Sequence, residues 1–193
     1  MIIRKLFKFE NAHIVRGCST LKCRSSLHGH SYRVELLFES NFLDNGQMVY
    51  DFGLMKQNMK ALVESFDHAI AIWSYDDENY INDMKKHSDR WIELPVSPSA
   101  EQFSRVIFIL IDKLLSLTRT VNGEKDVFLQ SIIVHETQTG YAQCFKEDAY
   151  SKLMGEIDID EIIFSEEIKN NWKDTELFEK LKRGNRFLNP SKV

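Results

Sequence analysis

Between His28 and Glu39 the chain alternates with a period of two, and this constrains the fold more than any other stretch. The even positions are His28, His30, Tyr32, Val34, Leu36 and Phe38, and the odd ones are Ser31, Arg33, Glu35, Leu37 and Glu39. Such a pattern is a half-buried strand with one apolar and one wet face. Both histidines then project onto the buried face where the strand begins, and Gly29 leaves the opposite face bare. In the opening segment Ile3, Phe7, Phe9 and His13 share one face, and Arg4, Lys8 and Glu10 the other. Antiparallel pairing of the two segments brings His13 close to His28 and His30.

Three convergent imidazoles on rigid strands form the ligand set of a catalytic zinc, with Zn–N bonds of about 2.0–2.1 Å and an open fourth position. A lone histidine on an apolar face is usually a core residue; HGH with a third histidine on a matching face argues for a metal. Cys18 and Cys23 lie in the same connection, which leaves open a closed, structural zinc site.

The rest of the chain sets broader bounds. At 193 residues it fits one domain, or one domain with an appendage. A net charge of -4 and a pI near 5.9 argue against a nucleic-acid partner. Three irregularly spaced cysteines do not make a disulfide framework, which points to a reducing compartment. The opening MIIRKLFKFENAH lacks the apolar run of a signal or membrane anchor, so the cytoplasm is expected.

Further along, Asp44-Asn45-Gly46 is turn chemistry. Asp51 then caps a helix whose apolar stripe is Phe52, Met55, Met59, Leu62, Val63 and Phe66, ending at 66–69. Residues 73–97 form a polar excursion with room for a short helix, and His87 there is solvated. Ser99 and Gln102 have capping-box spacing ahead of a second helix carrying Phe103, Val106, Ile107, Leu110, Ile111, Leu114 and Leu115. Strands follow over Phe128–Thr137 and Tyr141–Phe145, joined by Gln138-Thr139-Gly140. The order ββααββ predicts an α+β fold: an antiparallel four-stranded sheet with two helices on one face. From Glu147 onward the chain turns acidic, then offers helical segments near 162–172 and 176–181.

The ordered segments FENAH, KCRSSLHGHSYRVEL, GQMVYDFGLMK, FDHA, SPSAEQF and VHETQTGYA resemble the 6-pyruvoyl-tetrahydropterin synthase superfamily. Within it they are most similar to the bacterial 6-carboxytetrahydropterin synthases of queuosine biosynthesis. The resemblance covers residues 1–146, interrupted by the insertion at 73–97; residues 147–193 stand as an extension without a counterpart. It implies zinc on His13, His28 and His30, catalysis by Cys23 with the pair Asp67–His68, and a pterin anchored by Glu136, with Thr137 and Ser99 lining the pocket. Cys18 is a second candidate in the loop of Cys23.

The implied substrate is 7,8-dihydroneopterin triphosphate, and the product is 6-carboxytetrahydropterin with acetaldehyde and triphosphate. The nearer alternative is the pyruvoyl-forming synthase, which eliminates triphosphate and keeps the side chain. A non-catalytic oligomer that binds zinc and pterin is the alternative of another class. The resemblance further implies a homo-oligomeric barrel, with zinc and cysteine from one subunit and the Asp–His pair from its neighbour.

Residue chemistry agrees with these roles. A thiolate is the useful base, and cysteine reaches that state beside a zinc ion or imidazolium. A histidine buttressed by a carboxylate is a proton shuttle. Glu136 shares a face with Ile132 and Val134, so its carboxylate points inward, where pterin N–H groups can satisfy it.

Overall fold

The computed structural model describes residues 1–189. Strand β1 (Ile2–His13) leads through a loop and a one-turn helix α1 (Leu21–Ser25) into β2 (His28–Glu39). The two strands pair antiparallel along their whole length, from Ile2 opposite Glu39 to His13 opposite His28. The expected faces are present: Phe7, Phe9 and His13 are buried on β1, and Tyr32, Val34, Leu36 and Phe38 on β2, while Lys8, Glu10, Ser31 and Arg33 are exposed.

The chain continues through α2 (Asn58–Glu64), β3 (Ala69–Trp73), α3 (Glu78–His87), β4 (Trp91–Leu94) and α4 (Ala100–Leu117). Then come β5 (Thr118–Arg119), β6 (Phe128–His135), β7 (Tyr141–Cys144), α5 (Lys146–Ala149) and β8 (Ile163–Phe164). Helices α6 (Glu166–Asn170) and α7 (Leu177–Lys182) and strand β9 (Phe187–Leu188) complete the described chain. Strands β5 and β9 form a separate parallel pair.

The main sheet is seven-stranded and mixed, in the order β7-β6-β2-β1-β3-β4-β8. This corrects the expected four-stranded antiparallel sheet. The four expected strands β7, β6, β2 and β1 form one antiparallel side. Beyond β1 the sheet is extended by β3 and β4, both parallel to their neighbours, and closed by antiparallel β8. The insertion is thus part of the sheet, contributing β4 and, through α3, the crossover that parallel pairing requires. Residues 69–73, AIAIW, had no polar alternation to mark them because a strand buried on both faces shows none.

The expected helix from Asp51 is also shorter. Asp51 accepts a hydrogen bond from Gly53 N, a 3-10 turn covers Leu54–Lys56, and Gln57 interrupts before α2 begins. Phe52 is exposed rather than part of the stripe, whereas Met55, Met59, Leu62, Val63 and Phe66 are buried. The second helix matches its reading: Ser99 Oγ accepts from Gln102 N at 3.3 Å, and Phe103, Val106, Ile107, Leu110, Ile111 and Leu114 are buried against the sheet.

One charged residue stands in the apolar run of α4. Arg105 is 3% exposed, and its guanidinium donates to the carbonyls of Asp148, Ala149, Ser151, Met154 and Gly155 and to Gln102 Oε1. Carbonyl dipoles in place of a carboxylate solvate the buried cation, and in return the guanidinium fixes the first turns after β7. The following segment buries Phe164, Ile168, Trp172, Leu177, Phe178 and Leu181 in the same hydrophobic cluster as the sheet and α4. Each such side chain stabilises the fold by about 1.5–3 kcal/mol. Trp172 Nε1 donates to Ser65 Oγ at 2.9 Å, which locks the segment onto α2.

Candidate active site

The β1/β2 register places His13 and His28 opposite one another, with His30 one pleat further along β2. Their metal-ligating atoms lie within 4.8 Å of one another. Zn–N bonds near 2.0–2.1 Å allow at most about 4.2 Å between two ligands, so a modest contraction closes the set. On two of the rings the second nitrogen is already committed. His13 Nδ1 donates to Pro98 O at 2.5 Å, and His28 Nδ1 meets Ser26 O at 2.9 Å. That fixes Nε2 as the free atom on both rings.

His13 Nε2 is the informative atom: it is buried and has no hydrogen-bond partner. A buried imidazole nitrogen left unpaired costs free energy unless something absent from the protein atoms takes its lone pair. Burial lowers the pKa of His13, holding the ring neutral as a ligand must be. The donor set of three imidazoles, one with an orphaned nitrogen beside the other two, fits a divalent cation of the zinc type.

Glu136 stands beside this group. Its Oε1 lies 3.8 Å from His13 Nε2 and 3.9 Å from His30 Nε2, and it accepts a hydrogen bond from the Tyr32 hydroxyl at 3.1 Å. Burial, reinforced by the Glu136 charge, pushes the Tyr32 phenol well up, so it remains a donor at any working pH. Tyr32 was readable as a neighbour of the histidines on the same strand face, but a tyrosine in a core pattern gives no signal that its hydroxyl is engaged. Beneath the histidines, Phe103 of α4 stacks near His13 with centroids 6.1 Å apart, giving the site an apolar floor.

Thr137 and Ser99, expected to line the pocket, have structural tasks in this chain. Thr137 Oγ1 accepts from Gly140 N at 2.9 Å and Thr139 N at 3.3 Å, shaping the turn that presents Glu136. Ser99 caps α4 immediately after Pro98, whose carbonyl orients His13. Cys23 sits half-buried on α1, in the loop between two of the ligand strands. Arg16 ties that loop to the insertion: its Nε donates to both Asp76 oxygens at 3.1 and 2.9 Å, its guanidinium lies 5.0 Å from the Tyr80 ring centroid, and Nη1 reaches Arg24 O. Cys18 Sγ donates to Thr20 O at 3.2 Å and stays within its own turn.

Asp67 and His68 form the expected pair, with His68 Nδ1 2.9 Å from Asp67 Oδ2. Asp67 Oδ1 accepts from Glu10 N at 2.8 Å, and His68 N donates to Glu10 O at 2.7 Å. Arg90, from the insertion, holds Asp67 O at 2.9 Å. His68 takes a φ of 51°, a conformation uncommon outside glycine. The pair lies where the chain enters β3 beside β1, and His68 shares a shallow depression with Glu10, Asn11, Gly29, His30 and Ser31. The imidazoles converge beside Phe103 of α4, and Asp67 and His68 are not among the groups whose ligand atoms meet there.

Comparison with known proteins joins this geometry to a family. The model of the 6-pyruvoyl tetrahydropterin synthase family matches residues 2–147. The chain belongs to that family. Among 6-pyruvoyl tetrahydropterin synthase relatives, two Helicobacter pylori proteins named 6-carboxy-5,6,7,8-tetrahydropterin synthase are 37% and 36% identical, each alignment covering 94% of this chain and 91% of the relative. A third so named, from Aquifex aeolicus, is 29% identical over 76% of this chain and 98% of its own. The Helicobacter alignments run well past residue 147, so the extension does have a counterpart there, against the expectation that it has none.

Solved structures agree on the fold. An uncharacterized protein from Wolinella succinogenes superposes with a TM-score of 0.58 at 19% identity, covering 76% of this chain and 98% of that one. The Caenorhabditis elegans 6-pyruvoyl tetrahydropterin synthase superposes with a TM-score of 0.53 at 17% identity, covering 75% and 94%.

Proposed function

We propose that the protein is a zinc-dependent 6-carboxy-5,6,7,8-tetrahydropterin synthase of queuosine biosynthesis, converting 7,8-dihydroneopterin triphosphate to 6-carboxytetrahydropterin, acetaldehyde and triphosphate. The observation that carries this reading is the convergence of three imidazoles, one with an orphaned buried nitrogen, beside Glu136, in a chain whose Helicobacter relatives bear that name.

His13, His28 and His30 would hold zinc, which when bound supplies Lewis acidity to the oxygens of the substrate side chain. Glu136 orients the substrate. Tyr32 occupies Oε1, leaving Oε2 to accept from a pterin N–H, and the charge-assisted bond fixes the ring in place. Phe103 and Tyr32 keep water from the inner wall of the site. Cys23, as thiolate, removes or returns carbon-bound protons. His68 partners it: the Asp67 carboxylate holds the proton on Nδ1, so Nε2 is the atom that accepts or delivers one.

The position of Asp67–His68 outside the imidazole cluster supports a homo-oligomer in which the pair of one copy serves the histidines and Cys23 of another. His68 is 74% exposed in the single chain, as a group that works on a neighbour's substrate must be. Residues 1–146 constitute the catalytic unit, with the insertion at 73–97 and the extension at 147–193 added to it. The three free cysteines suit a cytoplasmic enzyme, and among the described residues no helix is long and apolar enough to cross a membrane.

The test is product identification by mass spectrometry after zinc-loaded protein is incubated with 7,8-dihydroneopterin triphosphate. A 6-carboxytetrahydropterin product with released acetaldehyde is expected. A pyruvoyl product assigns the other branch of the family, and pterin binding without turnover overturns the enzymatic reading.

A further inference from the structure

A cavity of about 1100 Å³ lies between α2 and the C-terminal extension and has His68 on its rim. Six of its lining residues are cationic: Lys56, Lys60, Arg90, Lys173, Lys180 and Arg186. Three are anionic: Glu64, Asp67 and Asp174. The cavity is therefore net positive in a chain of net charge -4.

Several of these cations are already engaged. Lys60 pairs with Glu64, Lys180 with Asp174 and Glu176, and Arg90 donates to the carbonyls of Asp67 and Glu64. Among the described residues, Lys56, Lys173 and Arg186 have no carboxylate within ion-pair distance. All three are exposed and line the same cavity. Two of them belong to the extension, whose wall is held in place by the Trp172–Ser65 hydrogen bond and by burial of Ile168 and Leu177.

We propose that this cavity binds the triphosphate chain of the substrate. Three unpaired cations on fixed walls match a linear polyanion with a charge on each phosphate. His68 on the rim places the reacting side chain next to the cavity mouth, so the pterin can reach a neighbouring copy's histidines while its phosphates lie here. The extension is then a binding element for the substrate, which accounts for two of the three unpaired cations lying outside the family match. The inference rests on the proposed substrate, and its test is independent of turnover.

The experiment is calorimetric titration of the zinc-loaded full chain with inorganic tripolyphosphate, beside steady-state kinetics, for the native protein and for Lys173→Glu/Arg186→Glu. Lys125→Glu/Lys152→Glu, two exposed sites outside the cavity, matches the change in net charge, and a thermal melt checks folding. A milder Lys173→Gln/Arg186→Gln variant replaces the reversal if the latter is unstable. Expected are saturable binding by the native protein, a Kd at least about tenfold weaker in the double variant, and a KM raised by about tenfold with kcat within about twofold. The control leaves all three unchanged. Turnover without tripolyphosphate binding, or binding and KM indifferent to the double substitution, overturns the cavity assignment and leaves the enzyme intact. Binding lost in the variant with no turnover of the pterin by any form keeps the cavity and overturns the substrate.

Discussion

The single most consequential atom is Glu136 Oε1, because it lies close to two histidine Nε2 atoms and is already bonded to Tyr32. If the carboxylate is a pterin anchor, Glu136→Gln keeps zinc and loses orientation, since an amide retains an acceptor but not the charge. Zinc content should remain near one per chain while kcat/KM falls by about a hundredfold. Loss of the metal instead makes Glu136 a fourth ligand and the site a closed one. At this scale much was legible in the sequence. His13, His28 and His30 fall together because period-two alternation is a purely local signal that pairing preserves. Pro98 and Asp76 carried no such signal, since a carbonyl that orients His13 and a carboxylate that grips Arg16 are brought in from 60 or more residues away.

At the scale of elements, two buried or half-buried charges sew the structure together. Arg105 ties α4 to the start of the extension through five backbone carbonyls. Arg105→Met keeps the volume but leaves those carbonyls unpaired, and should cost about 3 kcal/mol in urea denaturation with new proteolytic cleavage between 147 and 160. A change below about 1 kcal/mol would show that water replaces the guanidinium. On the wet face, Glu35 of β2 accepts from His135 of β6 at 3.0 Å and from Arg4 of β1 at 3.0 Å, joining three strands. Burial alone would raise the Glu35 carboxyl, but the hydrogen bonds from His135 and Arg4 outweigh it and hold it below the usual range. A depressed carboxylate stabilises the fold above its unfolded value near 4.5 and ceases to do so as pH falls through the folded one. Denaturation from about pH 6 to pH 3 should therefore show a loss of stability that Glu35→Gln reduces; parallel curves would remove Glu35 from the acid transition. The elements that escaped the sequence reading are the short ones: β3 lacks alternation, β4 sits in a charged segment, and β8 is two residues long. Only pairing identifies them.

For the whole molecule, the decisive feature is that Asp67–His68 stands outside the cluster of three imidazoles. His13, His28 and His30 converge beside Phe103 of α4, while Asp67–His68 is bonded to the backbone of Glu10 in β1. That separation was not legible locally, because it depends on the parallel pairing of β3 with β1. A site shared between copies can be tested by co-expression of two inactive forms. Cys23→Ala and His68→Ala should each abolish turnover alone. Differently tagged and purified as mixed oligomers, they should recover activity, since an interface between one chain of each kind holds a native Cys23 and a native His68. Mixed oligomers as inactive as either parent would place both groups in one chain and contradict the account.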